Sequence, residues 1–343
     1  MIKIQNIYYM LAYAFQVLNE DSYVKIALED FEHVEDLLAA ILAKGIANQI
    51  KRGLGREYIP QTDALCSPHG KINISASLKE NNIQKKRLVC EFDEFSENSF
   101  INQILKTSAL ILIRSDAVAP EQKKALKKVM LYFSAVDTIS PSDIKWASIK
   151  YNRNNATYKM LINICYLVIE SLLPTMQQGS KKLSQFKDDN LHRLFEKFVL
   201  EYYRKHYPSC KASAAHINWN VDDGIVDLLP AMKSDITLES AGKALIIDTK
   251  YYGHTMQTNS LFNSQTIHSG NIYQIFSYVK NKDANHTGNV SGMLLYAKTD
   301  EEITPDNCYL MDGNRISVKT LDLDKDFAGI RVQLDKIIEE WLR

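Results

Sequence analysis

The chain has 343 residues, 45% of them hydrophobic and 24% charged, with 41 basic residues balancing 41 acidic ones. That composition is ordinary for a globular protein and excludes collagen-like, disordered and coiled-coil classes. The balance holds in both parts, with 21 basic and 19 acidic residues up to residue 180 and 20 and 22 after it. Neither part is a polycation that would hold nucleic acid by bulk charge, so action on DNA requires a local groove or a partner.

The five cysteines, Cys66, Cys90, Cys165, Cys210 and Cys308, are odd in number, far apart and free of any Cys-x-x-Cys pair. This argues against a disulfide framework, a zinc ribbon or an iron–sulfur cluster and for reduced thiols in a cytoplasmic protein. The longest apolar run, Leu161 to Leu173, contains Glu170 and is too short to span a bilayer. Met1 to Glu20 is interrupted by Lys3, Gln5 and Asn6 and reads as a core-packing helix, not as a signal peptide.

In chain order, Ile7, Met10, Leu11, Ala14, Phe15 and Leu18 give residues 5–19 a helical period. A second helix is predicted over 31–50, broken by Arg52-Gly53-Leu54-Gly55-Arg56. From 57 to 95 the pattern is strand-like at Tyr58-Ile59, Ile72-Asn73-Ile74 and Leu88 to Phe92, with a turn at Ser67-Pro68-His69-Gly70. Helices follow over 97–115, 120–133 (opened by Pro120) and 155–173. The polar stretch Pro174 to Asp189 reads as a domain boundary, dividing the chain into residues 1–180 and 181–343. The first part is predicted to be mixed α+β, helices carrying a small β element. The second opens with a helix at 189–206, then strands near 210–220, 225–239 and 243–252, a helix at 270–281 and a strand at 291–298. That αβββαβ order is an α/β core.

The chemistry-bearing segment is Asp235-Ile-Thr-Leu-Glu followed by Ile247-Asp248-Thr249-Lys250. Strand alternation places Asp248 and Lys250 on one face. Charged groups in a Leu-Ile-Ile strand are costly unless compensated, and a divalent cation bridging Asp235 and Asp248 would compensate them. The spacing suits two antiparallel strands joined by a tight turn at Glu239 to Lys243. Such a pair of acids with a lysine suits phosphodiester hydrolysis. The acids take a hard cation such as Mg²⁺, and the lysine stabilises developing negative charge. The alternative for these three residues is an ion pair on an edge strand.

The arrangement looks like the PD-(D/E)xK nuclease pattern. End to end, the chain resembles the McrC family, the nuclease subunit of the McrBC modification-dependent restriction system. The resemblance rests on Asn6-Ile-Tyr-Tyr-Met-Leu-Ala-Tyr-Ala14, Arg52-Gly-Leu, Gly70-Lys-Ile, Phe92-Asp-Glu, Asp235-Ile-Thr, Ile247-Asp-Thr-Lys-Tyr-Tyr252 and Asn271-Ile-Tyr-Gln274. It implies a Mg²⁺-dependent DNA endonuclease in which Asp235 and Asp248 bind metal and Lys250 is catalytic. Thr249 and Glu196 are the further metal-site candidates, with Glu201 as the alternative to Glu196. Gln274 and Tyr278 match the Gln-x-x-x-Tyr of RecB-like nucleases, one helical turn apart on one face. One departure is that Pro230, not an adjacent proline, precedes Asp235.

The family's partner is a McrB-like AAA+ GTPase hexamer that recognises and translocates double-stranded DNA. The resemblance implies that residues 1–180 dock on that ring and stimulate it, with complexes pairing through this subunit. Gly242-Lys243-Ala244 is not a P-loop, so GTP belongs to the partner and no nucleotide to this chain. The Arg52–Arg56 loop and the Ser67–Lys71 turn are the tips expected to enter the ring. The alternatives are a non-cleaving plug of the ring and a free-standing RecB-like nuclease. His254 and His268 are read as solvent-facing, helix 121–128 as a solvated lysine face, and Tyr8, Tyr9 and Tyr13 as core or interface residues.

Overall fold

The computed structural model describes residues 2–15, 26, 29, 31–79, 84–151, 155, 157–176, 180–251, 256–259, 264–298 and 304–343. Two compact units emerge, one of Met1–Glu32 with Pro174–Arg343 and the other of His33–Leu173. The cut before Pro174 opens the polar stretch read as the boundary, but the grouping differs from residues 1–180 and 181–343. The start of the chain belongs with its C-terminal part.

The reason lies in helix α1 (Ile4–Phe15). The Asn6 amide donates to the carbonyls of Leu323 at 2.7 Å and Lys325 at 2.8 Å. Tyr9 stacks on Phe327 with ring centroids 4.3 Å apart, and the Tyr13 hydroxyl lies 2.7 Å from His206 Nε2. A linear reading takes neighbours in sequence to be neighbours in space, and these partners lie more than 190 residues away.

The unit His33–Leu173 is helical around a small sheet. Helix α2 (Val34–Arg52) buries Leu37 to Ala43 without a gap and stops at Gly53, whose φ of +88° ends the helical course. Strands β1 (Glu57–Leu65), β2 (Lys71–Ile72) and β3 (Leu88–Ser96) form an antiparallel sheet in the order β1-β3-β2. The strand expected through Ile74 ends earlier. Asn73 Oδ1 accepts from the Ala76 N–H and opens helix α3 (Ile74–Lys79). Helix α4 (Phe100–Arg114) is capped by Ser99, α5 (Pro120–Met130) starts on Pro120, and α6 (Tyr158–Met176) follows three short 3₁₀ turns. Leu37, Ile41, Leu42, Ile104, Leu105, Leu112, Leu126, Phe133 and Ile164 are buried in this unit.

In the other unit, helix α7 (Ser180–His206) begins nine residues before its expected start at 189. Most of the presumed linker is therefore helix, and no Gly or Pro between 180 and 206 interrupts it. Strands β4 (His216–Ile217) and β5 (Met232–Lys233) pair in a ribbon of their own. Strands β6 (Ile236–Ser240) and β7 (Lys243–Lys250) form a hairpin across Ala241-Gly242, both with positive φ, as a type I′ turn requires. Strands β8 (Met256–Asn259) and β9 (Ser264–Ile267) make a separate antiparallel pair, followed by helix α8 (Ser269–Lys282). Then come β10 (Val290–Ala297), β11 (Asn307–Met311), β12 (Asn314–Leu321) and helix α9 (Phe327–Leu342).

The main sheet runs β11-β12-β10-β7-β6, with β7, β10 and β12 parallel and both edges antiparallel. The predicted three strands before α8 are thus two in this sheet. The first, expected at 210–220, is a two-residue strand outside it, because the segment between Ile217 and Met232 loops out around Asp222-Asp223-Gly224 and its Trp219 indole donates to the Pro230 carbonyl. Alternation puts Ala244, Ile246, Asp248 and Lys250 of β7 on the face covered by α8, where Ile246, Ile275, Val279, Leu294, Ile316 and Val318 form the core. Gly292 lets α8 approach, since a Cβ there would meet Ile275 and Val279 at 2.8 Å.

Candidate active site

Strand β7 brings the predicted residues together at its C-terminal end. Seven of its eight residues are buried, so its charged pair is desolvated by the fold and not by local sequence. Asp248 is 2% exposed and Lys250 8%. The Lys250 ammonium lies 2.7 Å from Asp248 Oδ2, but it is not aligned as a donor to it, and that buried oxygen receives no hydrogen bond. Lys250 Nζ donates instead to Gln274 Oε1 at 3.1 Å, and Gln274 Nε2 donates to the Tyr278 hydroxyl at 3.0 Å. The i, i+4 spacing on α8 is what lets Gln274 and Tyr278 face the strand together.

Asp235 sits half-buried at the bend between β5 and β6. Its Oδ2 accepts from the Thr249 N–H at 2.7 Å and the Thr249 hydroxyl at 2.8 Å. These two bonds tie the first acid to the strand carrying the second. The bend also explains why the strand expected over 225–239 is interrupted.

Helix α7 supplies the third side. Glu196 is half-buried, and burial raises its carboxyl pKa above the ordinary value, reinforced by the negative charges of Asp235 and Asp248. Glu196 is thus within the field of both acids. Glu201, the alternative, is instead held by Arg204 at 2.7 Å in a helix-surface pair. Burial raises Asp248 to about 6. Lys250 opposes that rise and the charge of Asp235 adds to it.

His192 escaped the sequence reading. Its Nε2 lies 2.8 Å from the Thr249 carbonyl oxygen, and because that oxygen can only accept, Nε2 carries the proton. Its position one helical turn before Glu196 was the available signal. Among the other histidines, His268 is half-buried at the start of α8, and His254, like Tyr252, lies outside the described residues.

The donor set suits a hard cation. Asp235 and Asp248 are carboxylates, Thr249 offers a carbonyl, and the Asp248 oxygen lacks a donor. Among the described residues, no three His, Cys, Asp or Glu side chains form a ready-made ligand cluster. An ion here would therefore complete its shell with the Thr249 carbonyl and water, the usual habit of Mg²⁺.

Residues 3–297 match the family described as McrBC 5-methylcytosine restriction system component. The chain belongs to that family. A relative from Escherichia coli (strain K12), the type IV methyl-directed restriction enzyme EcoKMcrBC, is 25% identical over 347 residues, covering 100% of this chain and 99% of the relative. Among solved structures, a half-complex from a tetradecameric assembly of Thermococcus gammatolerans McrB AAA+ hexamers with bound McrC matches with a TM-score of 0.53 at 14% identity. That match covers 98% of this chain and 75% of the other. Among the described residues, no helix is long and apolar enough to cross a membrane.

Proposed function

We propose that the chain is the DNA-cleaving subunit of a McrBC-like restriction complex, a metal-dependent endonuclease built on a PD-(D/E)xK centre. The observation that carries this reading is the Asp248 carboxylate, buried, one oxygen short of a donor, and flanked by Asp235 and Lys250. Asp235, Asp248 and the Thr249 carbonyl would hold Mg²⁺, with Glu196 and His192 at the margin of its shell. Bound there, the cation would lower the pKa of a water and offset charge on the phosphate.

The protein's own groups supply the rest. Asp235, fixed by Thr249, keeps the two carboxylates in register. Lys250, held between Asp248 and the Gln274 amide, presents its ammonium to charge developing on the phosphate oxygens. Tyr278 fixes the orientation of the Gln274 amide.

The partner in this reading is a McrB-like AAA+ GTPase ring that brings double-stranded DNA to the nuclease. The unit His33–Leu173 is the part proposed to dock on it. Its Ser67–Lys71 turn is exposed, as a docking tip requires. The Arg52–Arg56 loop is pinned, with the Gly55 N–H on the Tyr158 hydroxyl at 2.6 Å and the Gly55 carbonyl on Asn102 at 2.8 Å, so it would present Arg52 from a fixed loop, while Arg56 is paired with Glu97 at 2.8 Å.

The test is cleavage of modified plasmid DNA by the chain with its ring partner, alongside GTP hydrolysis. Cleavage that requires Mg²⁺ and is lost in Asp248→Ala, with GTP turnover retained, is the expected result. Full cleavage by Asp248→Ala would remove the site. GTP stimulation without any cleavage by the unaltered chain would favour a non-cleaving plug.

A further inference from the structure

A phosphate approaching this centre meets Asp235, Asp248 and Glu196, three acids in one field. Basic side chains whose field reaches Glu196 or Asp248 include Lys250, His192 and Lys233. Lys250, 8% exposed, already serves the reacting phosphate in the reading above, and His192 is bound to the Thr249 carbonyl. Lys233 differs. It is exposed on β5, two residues before Asp235, and it has no ion-pair partner among the described residues.

The β4–β5 ribbon explains its pose. Ile217 and Met232 are opposite each other and buried in the core. Alternation turns their neighbours His216 and Lys233, also directly opposite, to solvent, and both are exposed. The protein thus holds a lysine and an imidazole side by side on the outer face of a ribbon anchored by its inner face. The segment joining the two catalytic elements offers no substitute. From Tyr251 to Val279 there is no Asp, Glu, Lys or Arg, the longest such run in the chain.

We infer that Lys233, with His216 beside it, is a phosphate clamp that seats the DNA backbone next to the acidic centre. The inference rests on the nuclease reading above and adds to it a DNA-contacting surface. A lysine suits the task, being a compact point charge that binds a phosphate without bidentate geometry. The clamp supplies binding and not chemistry.

The experiment is single-turnover cleavage by the assembled complex over a range of DNA and salt concentrations, with GTP hydrolysis measured in parallel. Each lysine–phosphate contact contributes a slope of about 0.9 to the log–log dependence of affinity on salt. Lys233→Ala should therefore give a salt dependence shallower by about 0.9, and a half-saturating DNA concentration raised about fivefold to tenfold near 0.1 M salt. The maximal rate and GTP turnover should stay the same. Lys233→Arg should restore the slope, and Lys233→Met, which keeps the aliphatic stem, should behave like Lys233→Ala and stands in for it if that variant melts early. An unchanged slope overturns the clamp, as does a fall in maximal rate with unchanged half-saturation. Absence of cleavage by the unaltered complex is instead the failure of the nuclease reading.

Discussion

Two aspartates in the same unit are almost equally buried and behave oppositely. Asp283, 3% exposed at the end of α8, accepts from the Thr287 N–H, the Thr287 hydroxyl, the Gly288 N–H and the Asn314 amide. Burial pushes its pKa up, but those donors outweigh burial and hold it at about 2. Asp248, 2% exposed on β7, has an oxygen without a donor and sits at about 6. Burial alone therefore does not mark a functional carboxylate. What distinguishes Asp248 is burial with its hydrogen bonding left incomplete, beside a second acid whose charge raises it further.

The largest effects should come from removing the carboxylates of the incomplete centre. Asp248→Ala and Asp235→Ala are each expected to reduce cleavage by about a thousandfold or more while GTP stimulation persists, because in the proposed centre each would take away a charged ligand for the cation. The same comparison gives a stability result of opposite sign for the two buried aspartates. Asp248 titrates higher in the fold than its ordinary 3.8, so its contribution is full below pH 3.8 and is lost as pH rises through about 6. Asp283 titrates lower, so its contribution is present above pH 3.8 and is lost as pH falls towards about 2. Without metal, Asp248→Asn should therefore raise the melting temperature at pH 7 and flatten its fall between pH 4 and 6. Asp283→Asn should lower it and remove part of the acid limb. Thermal melts in EDTA across pH check both, and a destabilised Asp248→Asn at pH 7 would mean that the ionised carboxylate is well compensated after all.

Lys250 comes next. Lys250→Ala should slow single-turnover cleavage about a hundredfold, the usual scale for one lost electrostatic stabiliser. Gln274→Ala leaves the lysine without its 3.1 Å acceptor and should cost about tenfold through misplacement, less than losing the ammonium itself. If Lys250→Ala lost GTP stimulation together with cleavage, its role would be structural. The satisfied centre should behave in the reverse way. Asp283→Ala strands Asn314 and Thr287 and should cost about 3 kcal/mol of stability, with cleavage per folded molecule unchanged.

The pairings on the candidate strand were legible in the sequence because their signals are local. Two-residue alternation placed Asp248 with Lys250, the helical period placed Gln274 with Tyr278, and the structure joins the two pairs through one hydrogen bond. The expected tight turn is present at Ala241-Gly242. What escaped were relations between distant segments. His192 meets a carbonyl 57 residues away, a contact that its spacing from Glu196 alone does not specify. The closing elements β11, β12 and α9 went unread, although Asp312-Gly313 between two short runs is a strong hairpin signal and both residues have positive φ. The assignment of α1 failed for the same reason, since its partners are near the other end of the chain.

The placement of α1 leads to the smallest effect. Asn6 is 2% exposed and donates both amide hydrogens to carbonyls at 323 and 325. It is a satisfied polar group like Asp283, but neutral, so its removal strands two acceptors without exposing a charge. Asn6→Ala should cost about 1–2 kcal/mol, the scale for losing a pair of buried hydrogen bonds. The loss should fall on the unit that carries the proposed nuclease centre. Amide exchange should quicken around Leu323 and Lys325, and the cleaving activity should decay at a lower temperature, while GTP stimulation by the His33–Leu173 unit keeps its thermal profile. If Asn6→Ala instead abolished GTP stimulation and left the melting of the nuclease unit unchanged, the first helix would belong to partner docking, and the tie to Leu323 would be incidental to its role.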